Sequence, residues 1–197
     1  MSNAAFTLTV KSSGFCLCKA TGSNSGGGLY GNVKESSVSA LCFDRCTSGS
    51  SGQSLHIEVV NGYQNSYING YSVLCGPQSS GASRAAYLGR GIIKYQESNF
   101  SHGYTGVSAV MRANPYNSAL VSYVTHSSMT TAEPLTVGGS SSVTAKVNNV
   151  AFVGNKKTGS DNQDINDIIS VSISSSVIAY EGFQRFARYK RWTVAKT

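Results

Sequence analysis

The chain has 197 residues, 13% of them charged, and carries a formal net charge of +7. That length suits one domain with a full core, so neither metal nor disulfide is needed merely to fold it. No apolar run approaches the roughly 18 residues that suggest a membrane helix, and no basic stretch leads into an apolar leader at the start. A soluble, unsecreted chain is the expectation.

Short runs rich in Val, Ile, Tyr and Thr recur between Gly, Ser and Asn clusters, a pattern that predicts strands joined by turns. In chain order they are Ala5 to Lys11, Val38 to Phe43, Ser54 to Val60, Tyr67 to Cys75, Ala86 to Tyr95, Tyr104 to Arg112, Ala119 to Thr125, Val143 to Val153 and Ile168 to Tyr180. In the first, Phe6, Leu8 and Val10 alternate with Thr7 and Thr9, as for a strand with one buried and one wet face. Ile169, Val171 and Ile173 alternate with serines in the same way.

Five cysteines, Cys16, Cys18, Cys42, Cys46 and Cys75, fall in the first part of the chain. Residues i and i+2 of a strand share a face, so Cys16, Cys18, Cys42 and Cys46 could offer four thiolates to zinc. The spacing is not that of the usual zinc motifs, and reduced thiols with no metal and no cofactor are expected, with disulfides as the other alternative to zinc. Asn61-Gly62-Tyr63 is echoed by Asn69-Gly70-Tyr71; Asn-Gly tolerates positive φ, which predicts a hairpin or meander over residues 54 to 75. The echo is too short to define a repeat.

Thr21 to Gly28, Thr47 to Gly52, Gln78 to Ser83 and Gly138 to Ser142 read as loops. Residues 154 to 167, with Asp161, Asp164 and Asp167, read as a solvated polar loop lacking the ligand spacing of a calcium site. Tyr180 to Val194 is the one helix candidate, with an edge strand as the other option.

The histidines, His56, His102 and His126, accompany no hydrolase, metalloprotease or nucleotide motif, and the chain is read as not an enzyme. Its most distinctive stretch is the basic-aromatic segment 181–197, where Arg185, Arg188, Lys190 and Arg191 interleave with Phe186, Tyr189 and Trp192. Guanidinium groups pair with phosphate while aromatic faces stack on bases, so Arg185, Arg188, Tyr189, Lys190, Arg191 and Trp192 are the expected nucleic-acid or interface residues.

The expectation is an all-β single domain over 1–197, an antiparallel β-sandwich or jelly-roll-like fold with an optional short C-terminal helix. The expected role is a non-enzymatic, self-assembling structural protein, and within that class a viral or phage capsid subunit. It would be homo-oligomeric, in the virion or the cytoplasm, off the membrane, with nucleic acid as a partner of the C-terminal segment. The alternative is a lectin-like domain that uses some of the eleven tyrosines, such as Tyr63, Tyr67, Tyr71, Tyr104 and Tyr116, for sugar binding.

Overall fold

The computed structural model describes residues 5–76, 84–138, 143–158, 165–167, 170–174 and 177–179. Its strands follow one another as coils. The first coil contains β1 (Thr7–Cys16), β2 (Lys19–Ala20) and β3 (Leu29–Val33). The second contains β4 (Glu35–Asp44), β5 (Thr47–Ser48) and β6 (Leu55–Val59), and the third β7 (Gln64–Ile68), β8 (Tyr71–Val73) and β9 (Ala86–Gly89). Then come β10 (Ile92–Ser101) with β11 (Tyr104–Asn114), β12 (Ser118–Ser127) with β13 (Thr130–Val137), and β14 (Thr144–Val153) with β15 (Lys156–Lys157) and β16 (Ile165–Asp167). β17 (Ser170–Ser174) and β18 (Val177–Ala179) begin a further coil.

A nine-stranded sheet runs β1-β4-β7-β10-β12-β14-β17, with β8 and β18 continuing β7 and β17. A seven-stranded sheet runs β15-β13-β11-β9-β6-β3, with β16 also on β13, and β2 pairs β5 separately. Every pairing is parallel. The fold is a β-solenoid, which corrects the expected antiparallel sandwich or jelly roll. Period-two alternation reports which side chains face inward and is the same for parallel and antiparallel neighbours. Here the return path between two strands of one sheet is a strand of the other, so no crossover helix is needed.

The expected hairpin over 54 to 75 is likewise replaced. β6 belongs to one sheet and β7 to the other, and Gly62, at φ 87°, turns the corner between them. Asn69, at φ 56°, marks the bend between β7 and β8. That bend repeats through the stack: Ser12, Ala40, Asn69, Glu97, Tyr123 and Asn149 all have positive φ and are exposed. A second such series, Leu17, Arg45, Leu74, His102, Ser128 and Gly154, follows the strands of the larger sheet. The polar stretch 154 to 167 holds β15 and β16 and is not wholly loop. The helix candidate from Tyr180 lies outside the described residues.

Cross-coil partners are 28 residues apart at Cys16 and Asp44, 29 at Ser36 and Asn65, and 26 at Gln96 and Ser122. Stacking at that period builds the core from columns of equivalent residues. One column is Val10, Val38, Tyr67, Tyr95, Val121 and Val147; another is Phe15, Phe43, Ser72, Phe100, His126 and Phe152. Phe15 stacks on Phe43 at 5.0 Å, and His126 sits between Phe100 at 5.5 Å and Phe152 at 5.2 Å. Tyr67 and Tyr95 stack at 6.0 Å, and burial pushes both phenols up in pKa. The buried Tyr95 hydroxyl shares a 3.0 Å hydrogen bond with His126 Nε2, so the polar tip of the ring is satisfied inside the core.

Candidate functional site

Each coil covers the inward side chains of its neighbour, and among the described residues the first coil has a neighbour on one side only. Leu8, Val10, Phe15, Leu29 and Val33 are only partly buried. Val38, Phe43, Leu55 and Val59, which pair with the last four of these, are all at most 1% exposed. The difference is therefore position in the stack and not residue type. β1 and β3 are edge strands at this same end, each paired on one side only among the described residues. Phe6, 79% exposed, extends the apolar end, whereas Tyr30, 58% exposed, alternates with Leu29 onto the outer face.

Unpaired backbone beside half-covered apolar side chains is a template for further strand pairing unless charge or Pro blocks it. β3 carries no charged residue, and β1 carries only Lys11. Val10 is half-buried against the core while its neighbour Lys11 is exposed, so alternation puts the ammonium on the outer face, away from the end that would be covered.

The thiols do not assemble as the zinc reading requires. Leu17 adopts φ 56°, which breaks the alternation that would place Cys16 and Cys18 on one face. Cys16 is exposed and its Sγ donates to Asp44 Oδ2 at 3.4 Å, a contact that raises the thiol pKa, whereas Cys18 is half-buried. Cys42 is exposed and Cys46 is buried. Among the described residues, no group of His, Cys, Asp and Glu is placed to hold a metal ion.

No family model, curated protein or solved structure matches the chain.

Of the histidines, His126 is buried in the aromatic column, His102 occupies an exposed corner, and His56 lies on the outside of the seven-stranded sheet. There it forms a ring ladder with Tyr30 at 5.4 Å and Tyr87 at 4.6 Å, with Glu58 Oε1 3.6 Å from its Nε2. The guanidinium of Arg84 lies 5.4 Å from the Tyr87 ring. Burial holds His56 below its ordinary pKa against the opposing pull of Glu58, with Arg84 adding to the depression.

The folded chain thus binds this proton less readily than the unfolded chain. His56 contributes its stability fully above the unfolded value, about 6.5, and the contribution is lost as pH falls through and below it. The denaturation midpoint should accordingly drop between about pH 7.5 and about pH 5.5, and His56→Gln should flatten that drop. An unchanged slope in the variant would remove His56 as its source.

The tyrosines considered for sugar binding separate. Tyr67 is buried, whereas Tyr63, Tyr71 and Tyr116 are exposed. In the outer ladder His56 has a ring on either side, while Tyr30 stays 58% exposed. The basic-aromatic residues Arg185, Arg188, Tyr189, Lys190, Arg191 and Trp192 lie outside the described residues. The half-buried residues of the first coil, Leu8, Val10, Phe15, Leu29 and Val33, carry no local motif. Their signal is the recurrence of apolar side chains at the coil period, as in Val10 and Val38 or Phe15 and Phe43.

Proposed function

We propose that the chain is a non-enzymatic structural subunit that self-associates through its open first coil, with a second copy as the occupant. The observation that carries this reading is the half-buried apolar column at the first coil, flanked by β1 and β3, each paired on one side only among the described residues. Two identical open ends meeting about a two-fold axis would cover each other and close, whereas a head-to-tail contact would propagate. Strands that meet across the two-fold run antiparallel at about 4.8 Å, so such a pair makes a rod of stacked coils, not a flat tile. The sparse charge and Ser- and Thr-rich outer strands support packing among neighbours, and on that ground we place the subunit with viral or phage structural proteins. A lectin-like role would fall to the exposed Tyr63, Tyr71 and Tyr116.

Sedimentation over a concentration series tests the reading. The chain should form a dimer that dissociates on dilution, and Leu8→Lys or Val33→Lys should weaken it at least about tenfold, about 1.4 kcal/mol, with the β-sheet circular dichroism retained. A monomer at every concentration, filaments that lengthen with concentration, or undiminished association in both variants would each overturn it.

A nucleic-acid role for segment 181–197 is part of the same proposal. Arg185→Ala, Arg188→Ala and Arg191→Ala together should weaken single-stranded nucleic-acid binding and lower its salt slope by about 2, following the loss of about 0.7 per phosphate contact. Binding that is unchanged across the salt series would eliminate that role.

A further inference from the structure

Leu17, Arg45 and Leu74 occupy the same left-handed corner in successive coils, with φ of 56°, 50° and 52°. Each turns the residue after it toward the interior, and those residues are Cys18, Cys46 and Cys75. The backbone N–H of Thr47 donates to Cys18 O at 2.9 Å, and that of Gly76 to Cys46 O at 3.1 Å, so the three cysteines lie on adjacent rungs. Cys46 is the middle member: its N–H donates to Cys75 Sγ at 3.3 Å, and its thiol interacts with both neighbouring thiols. Cys46 and Cys75 are buried, while Cys18 belongs to the open coil and is only half-covered.

Neighbouring parallel strands bring equivalent Cα atoms to about 4.8 Å, inside the roughly 4.4–6.8 Å span that a disulfide bridges. We propose that Cys18 and Cys46 are an oxidative modification site, at which a small-molecule disulfide oxidant staples the first coil to the second. Cys18, reached from the open end, attacks the oxidant as its thiolate, forms a mixed disulfide and releases one thiol. Cys46, which its contact with Cys75 and its burial hold protonated in the resting chain, gives its proton to solvent as it attacks Cys18 Sγ. The second oxidant sulfur leaves as thiolate and takes a proton from solvent. Two protein thiols and one disulfide thus become one protein disulfide and two small thiols, with two electrons passing to the oxidant.

The test is oxidised glutathione added to the dilute full chain, followed by alkylation and non-reducing peptide mapping. Cleavage after Lys11, Lys19, Arg45 and Arg84 should yield peptides 12–19 and 46–84 joined, with the loss of two hydrogens. A Cys16→Ser/Cys42→Ser chain should retain the link, which assigns it to the interior column. Cys18→Ser should abolish it, and the oxidised chain should melt higher than the reduced one in a way that added reductant reverses. Glutathione adducts alone, a Cys46–Cys75 link, or a Cys18–Cys18 link between two chains would overturn the proposal.

Discussion

Phe100→Ala is expected to lower the free energy of unfolding by about 3–5 kcal/mol. Phe100 is fully buried and touches rings on three sides: Tyr67 at 6.5 Å, Tyr95 at 6.2 Å and His126 at 5.5 Å. Removing the ring loses its transfer free energy and leaves a void that strands held at fixed coil spacing cannot close. It also strips an edge-to-face neighbour from Tyr95 and His126, whose mutual hydrogen bond depends on where those rings sit. Urea titration followed by circular dichroism measures the loss. Because each coil contacts only its neighbours, the variant should also broaden the transition, as coils on either side of the void melt separately. A cost below about 1 kcal/mol with an unchanged slope would mean that the aromatic column is not the core.

Asn65→Ala should cost about 3 kcal/mol through a different mechanism. Asn65 is fully buried on β7, and its Nδ2 donates across the interior to Gly89 O at 3.0 Å and Ile57 O at 3.3 Å. Its Oδ1 accepts from Ser36 Oγ at 2.8 Å, so one amide ties two rungs of the larger sheet to β6 and β9 of the other. The alanine variant leaves a buried hydroxyl and two buried carbonyls short of a partner, each of which sheds its water on folding. A cycle with Ser36→Ala should return a coupling of about 1 kcal/mol, since both changes remove the same bond. Additive losses would show that Ser36 and Asn65 act independently.

How much of this was legible in the sequence differs from element to element. Leu8 and Val10 do face inward and Thr7 and Thr9 outward, as the alternation implies, but Phe6 precedes the strand and is exposed. The strand expected over Tyr67 to Cys75 is broken by the left-handed Asn69, and that over Ala86 to Tyr95 by the corner at Arg90 and Gly91; Asn and Gly mark a bend at each place but not that the chain goes on in parallel strands beyond it. Strand order was hidden because the coil period slides between 26 and 29 residues while the occupants of a column change. Val38 is followed by Tyr67, and Phe43 by Ser72. Column partners need only fill similar space, so a search for identical residues finds little. Cys18, Cys46 and Cys75 were the exception, recurring at the coil period, but pairing Cys16 with Cys18 by strand alternation obscured it. The corner at Leu17 is what separates them.

Coverage of the first coil by a second copy would be read from hydrogen exchange over a dilution series. Amides of β1 and β3 that point away from β4 and β6 should exchange slowly at high concentration and quickly once the dimer is diluted apart, while those of β10 and β12 stay protected throughout. Fast exchange of the β1 and β3 edges at every concentration would contradict the account.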